Sequence, residues 1–174
     1  ALDAMMTAPE SDTGAEALVE AWEAIALFMD LEWQRDELFK QPEALAYIEK
    51  LQAALADTGI VGKSNSLTDI VKTVYRELME GNASYFRIPD SARAVAQCLI
   101  TYESSHRPHD IGHFVTHDYR NTSLWVQLKS GNNQDMKQVQ EKMDAFIAAN
   151  PPPFNLKHHW FGLTYINVVW QEKM

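Results

Sequence analysis

Apolar residues return along this chain at helical intervals in three successive stretches before they return at strand intervals. After Pro42, which suits the first turn of a helix, Leu45, Ile48, Leu51, Gln52 and Leu55 fall on one stripe that ends near Gly59. Ile60 to Ser64 reads as a short strand. Ser66 with Asp69 three residues on has the form of a capping box opening a second helix, whose stripe is Leu67, Ile70, Val71, Val74 and Leu78 and whose stop is Gly81. A third helix is expected from Pro89-Asp90, with Ala92, Val95, Ala96, Leu99 and Tyr102 turned inward.

The period then changes. His113 to Thr116 and Leu124 to Leu128 flank the polar turn Asp118-Tyr119-Arg120-Asn121, and Leu124, Val126 and Leu128 alternate with Trp125 and Gln127, which predicts an antiparallel hairpin. Gly131-Asn132-Asn133 opens a helix carrying Met136, Val139, Met143, Phe146 and Ile147, and the prolines 151–153 end it. A last strand is expected over Leu156 to Phe161, and a helix-like tail follows Gly162. Near the start, Thr7 to Gly14 is polar and turn-rich. Ala15 to Glu23 favours helix, and Ile25, Leu27, Met29 and Leu31 alternate as a strand does. With the inserted helices set aside, the order is strand, helix, strand, strand, helix, strand. That is an α+β fold of the ferredoxin-like split βαβ (βαββαβ) kind, with extra helices between strands 2 and 3. The expected division is an arm over 1–14, one domain over 15–164 with its helical insertion at about 66–105, and a closing helix from 165 to 174.

Composition narrows the partners. The chain has 174 residues, enough for one domain with its own core. Its 24 acids against 15 bases give a net charge of -9, which disfavours nucleic acid and anionic membrane surfaces. Cys98 is the single cysteine, so no disulfide forms within the chain, and Ala96, Leu99 and Ile100 around it predict a buried thiol. The longest apolar run, residues 24–29, is far short of the about 20 residues a membrane-spanning helix needs. No signal-peptide pattern opens the chain, which starts at Ala1 and closes on Val168 to Met174 without a helix stop, and both ends are expected to be cut from a longer protein.

Candidate chemistry is sparse. His106, His109, His113 and His117 are the one cluster with metal-like spacing, and three of them share a face only if the segment is helical. Pro108 and the strand-like Phe114-Val115 argue against that helix, so the expectation is solvated loop histidines and no metal. His158 and His159 would point to opposite faces of a strand and make no pair. Asn121-Thr122-Ser123 matches the glycosylation pattern, one that arises often by chance. Trp22, Trp33, Trp125, Trp160 and Trp170 offer contact area for an apolar substrate or for a core. Phosphate loops, nucleophile elbows, paired cysteines and zincin motifs are all missing, so no catalytic residue and no cofactor site is assigned.

Four stretches carry a resemblance. Phe39 to Leu45, Val61 to Lys72, Leu124 to Gly131 and Gly162 to Glu172 are similar, in order and rough spacing, to the first extracytoplasmic loop of RND-superfamily exporters of the MMPL-like, hydrophobe and lipid-exporting branch. The resemblance implies a periplasmic porter domain of the same βαββαβ order, held between two helices of the bacterial inner membrane. It implies partners in the remaining membrane and periplasmic portions of the same transporter, a homo-oligomer, and a lipid-like or other hydrophobic substrate. The proton-relay carboxylates of that family lie in membrane helices, so none maps onto this chain. The alternative is a free-standing extracytoplasmic protein that binds a hydrophobic ligand; a metal-dependent enzyme built on the histidine cluster ranks last.

Overall fold

The structure, a computed structural model, describes residues 18–25, 27–28 and 37–174. The chain divides into two units, residues 1–36 and 37–174. In the first unit the described residues are helical, with Leu18, Val19, Trp22, Ile25, Leu27 and Phe28 exposed. This meets the helix expected over Ala15 to Glu23 in its described part, from Leu18 on, and corrects part of the strand expected after it: Ile25, Leu27 and Phe28 are helical, in keeping with the helix-favouring residues before them. The remainder of that strand, and Trp33, lie outside the described residues, as does the arm over 1–14.

The second unit holds α1 (Pro42–Asp57), β1 (Val61–Asn65), α2 (Leu67–Leu78), α3 (Ala92–Glu103), β2 (Trp125–Leu128), α4 (Asn133–Ala149) and α5 (Leu163–Lys173). It is therefore mixed helix and sheet. Three-residue 3-10 turns at Leu38–Lys40 and Ala83–Tyr85 and a six-residue one at Pro108–His113 fill the connections. The helix ends follow the local signals. Pro42 occupies the first turn of α1; Thr58 then turns the chain, its hydroxyl donating to Leu55 O at 2.6 Å, and Gly59 takes the positive φ of 70° that a side chain would resist.

Ser66 builds the most complete start. Its hydroxyl accepts from the Thr68 amide at 3.2 Å, while its own amide donates to Asp69 Oδ2 at 2.9 Å. The same hydroxyl donates to Gln52 Oε1 at 2.8 Å, and Gln52 Nε2 donates to Asp69 Oδ2 at 2.8 Å, so the cap of α2 is tied to α1. α3 begins at Ala92 behind Ser91 rather than at Pro89, because Ser91 is the residue whose side chain accepts from the Ala94 amide.

The sheet departs most from the sequence pattern. β1 and β2 pair antiparallel, Asn65 opposite Trp125 and Val61 opposite Leu128, with an irregularity between Val61 and Lys63. The expected hairpin between 113–116 and 124–128 is reduced to one bridge, Val115 with Thr122. The turn itself does reverse the chain: the Thr116 amide donates to Asn121 O at 3.0 Å and the Ser123 amide to Phe114 O at 2.7 Å. The partner strand is lost because the 3-10 turn runs through His113, and residues 125–128 pair with β1 instead. The strand expected over Leu156 to Phe161 is likewise absent; the segment lies without a ladder partner among the described residues, Phe154 and Leu156 against one core cluster and Trp160 against the other.

Those two clusters organise the unit. The larger gathers Phe39, Leu45, Ile48, Leu67, Val71, Val95, Cys98, Leu99 and Ile111, and so lies among α1, α2, α3 and the 3-10 turns. The smaller consists of Leu55, Val61, Val139 and Met143, with Val126, Leu128, Phe146 and Trp160 partly buried on it, and so lies between α1, α4 and the inner face of the strand pair.

Candidate functional site

The histidine segment forms no ligand set. His106, His109, His113 and His117 are all exposed, His109 and His113 within the 3-10 turn and the other two beyond its ends, and among the described residues no group of His, Cys, Asp and Glu is placed to hold a metal ion. The His113 carbonyl accepts from the Trp125 indole at 2.9 Å, which is a structural tie. His158 and His159 are both exposed and off any strand; His158 Nε2 lies 3.3 Å from Asp144 Oδ1. Cys98 is buried, as its neighbours predict, and burial raises its thiol pKa, which keeps it protonated and unreactive.

Among the described tryptophans, Trp22, Trp125 and Trp170 are exposed, and Trp160 is partly buried on the smaller cluster, with an indole N–H that has no hydrogen-bond partner. Trp125 meets Phe161 edge to face at 6.4 Å between ring centres. Along α5, Leu163, Ile166 and Trp170 fall on one exposed stripe, and Val168 faces inward.

A tightly bonded turn packs into the larger cluster through Tyr119. Tyr119, at a positive φ of 52°, is buried and donates its hydroxyl to Glu103 at 2.7 Å, while its carbonyl accepts from the Phe39 amide at 3.1 Å. Desolvation, with the Glu103 bond second, pushes its pKa far above the ordinary tyrosine range. Asp118 accepts from the Thr116 hydroxyl and from the Arg120 amide, which lowers its pKa. These bonds fix a loop; they offer no open acid or base.

A shallow cleft of about 530 Å³, largely open to solvent, lies between the second half of α1 and the middle of α4. Lys50, Ala53, Ala54, Asp57 and Thr58 line one side, and Lys142, Met143 and Phe146 the other. Spacings of three and four put the α1 residues on one helical face, beside the face that buries Ile48 and Leu55. Met143 is buried and Phe146 partly so, while both lysines are exposed. The sequence pattern alone pointed to none of these residues as a site. The available signal was the second stripe of α1, where two alanines separate a lysine from an aspartate.

No family model matches the chain, and neither the curated proteins nor the solved structures hold a match to it. No helix among the described residues is long and apolar enough to cross a membrane.

Proposed function

We propose that this chain is the periplasmic porter domain of a proton-driven RND-type exporter of the MMPL-like branch, which moves lipid-like or other hydrophobic molecules outward. The observation that carries the reading is the pairing of β1 with β2 across an intervening pair of helices, with α1 and α4 packed at the same strand pair. In a split βαβ domain with helices inserted between strands 2 and 3, strands 2 and 3 pair antiparallel and the two crossover helices share one face. β1, β2, α1 and α4 fill those four roles. The other two strands of that order have no counterpart among the described residues.

A two-stranded ribbon is marginal by itself, and a ferredoxin-like sheet would cover the open edge of β2 while β1 stays at the sheet edge. The domain has no catalytic role in this account. Proton movement through membrane helices of the same transporter drives it to rock against a duplicate porter domain, as repeated halves do in secondary transporters, within a homo-oligomer in the bacterial inner membrane. The test is export by the intact parent after residues 37–174 are excised: the reading expects export of lipid-like substrates to stop, and unchanged export of every substrate tried would sink it.

One observation favours a second reading. The cleft between α1 and α4 belongs wholly to this unit, which suits a free-standing extracytoplasmic protein that carries a hydrophobic ligand.

A further inference from the structure

Charge is divided unevenly between the two units. Residues 1–36 hold nine acids and one base, a charge of -8, whereas residues 37–174 hold 15 acids and 14 bases and are almost neutral. The helical residues of the acidic unit have two distinct faces. At about 100° per residue, Leu18, Trp22 and Ile25 fall along one line, Val19 and Phe28 flank it, and Glu20 and Glu23 lie opposite. All five apolar side chains are exposed, with Trp22 at the centre of the stripe 63% exposed. Contiguous apolar surface of this kind marks an interaction site.

Charge and shape decide what covers it. Anionic lipid and nucleic acid are repelled by a unit at -8, and a second copy would bring another -8 to the same contact. Helices that lie in a membrane surface carry lysine and arginine on their polar face, and residues 18–28 contain neither. A positively charged protein surface is what remains. The apolar face reaches from Val19 across to Phe28, broader than the narrow seam that a single neighbouring helix covers, so its complement is a groove. Glu20 and Glu23, three residues apart, repel each other on the free helix, and cations nearby relieve that repulsion.

We propose that the helical residues of the first unit are a docking element for a basic protein partner, with Leu18, Trp22 and Ile25 seated in an apolar groove whose rim carries lysine or arginine. The inference rests on residues 1–36 and not on the transport reading.

A designed two-helix hairpin with a leucine-lined groove and a lysine rim, titrated into the full chain and followed by amide chemical shifts, tests it; the same hairpin with a glutamate rim is the charge control. The expected result is saturable one-to-one binding of the lysine hairpin with shifts centred on residues 18–28. Its affinity should exceed that of the glutamate hairpin by about tenfold, and raising salt to about 0.5 M should narrow the gap. Trp22→Ala/Ile25→Ala removes the centre of the face yet keeps strong helix formers, and should weaken binding by about tenfold. Glu20→Gln/Glu23→Gln keeps the face and should weaken it by about threefold. Equal affinity for the two hairpins, shifts centred on the exposed stripe of α5, or undiminished binding in both variants would overturn the proposal. So would self-association of the chain through residues 18–28, or transfer of those residues to neutral phosphatidylcholine vesicles in preference to the lysine hairpin.

Discussion

The two core clusters of residues 37–174 are built to different standards. Around Leu45, Val71, Val95 and Leu99 three helices and two 3-10 turns close on side chains that are fully or almost fully out of water. Around Leu55, Val139 and Met143 the closure is thinner: four residues are buried, and the strand pair over them has two open edges. The half around the inserted helices thus closes on itself, with α1 and the 3-10 turns as its other walls. The sheet half relies on pairing that this span of described residues leaves unfinished. A stability difference between the halves follows, and so does the expectation that contacts to other parts of a larger protein are made at the sheet half.

The largest effect should come from equal truncations on the two sides. Leu99→Ala and Leu55→Ala each remove a side chain that is 1% exposed, so the lost transfer free energy is the same and only the ability to relax differs. In urea unfolding, Leu99→Ala is expected to cost about 4 kcal/mol, because the packed helices around it cannot collapse, and Leu55→Ala about 2.5 kcal/mol. Equal losses would break the comparison.

Ser66 sits where the halves join, at the end of β1 and the start of α2. Ser66→Ala removes the cap of α2 and the bond to Gln52 together, and should cost about 1–2 kcal/mol in the same measurement. Ser66→Asp restores an acceptor for the Thr68 amide but faces Asp69 and the Gln52 carbonyl oxygen, so it should recover only part of the loss. Full recovery would mean that the tie between the halves contributes little.

The smallest effect is confined to alkaline pH. The buried Tyr119 phenol has a pKa raised in the folded state, so its contribution is complete below the unfolded value of about 10 and is lost as pH rises above it. Thermal unfolding followed from pH 8 to 11 should therefore show a falling midpoint above about 10. In Tyr119→Phe the fall should be shallower, since there is no phenol left to ionise. An identical fall in both would place the alkaline sensitivity elsewhere.

How legible each half was in the sequence follows the same division. Helices carry their own punctuation: Pro42, the Ser66/Asp69 box and Asn132 mark starts, Gly59 and Gly81 mark stops, and the inward positions Val71, Val95, Leu99, Val139 and Met143 follow from a 3.6-residue period. Strand pairing carries no such mark. Val126 and Leu128 read correctly as a strand face, yet the nearest alternating segment, 113–116, was the wrong partner, and β1, sixty residues earlier where Asn65 meets Trp125, was the right one. A polar turn specifies that the chain reverses; it does not specify how far the ladder extends. The cleft was less legible still, because Lys50, Ala53 and Lys142 have meaning only once α1 and α4 lie side by side.

The central claim, that this domain belongs between two membrane helices of an exporter, is tested most directly by reading the coding frame on both sides of it. The account predicts a run of about 20 apolar residues upstream of Ala1 and another directly after Met174. A stop codon immediately after Met174, or polar sequence on both sides with no such run, would contradict it.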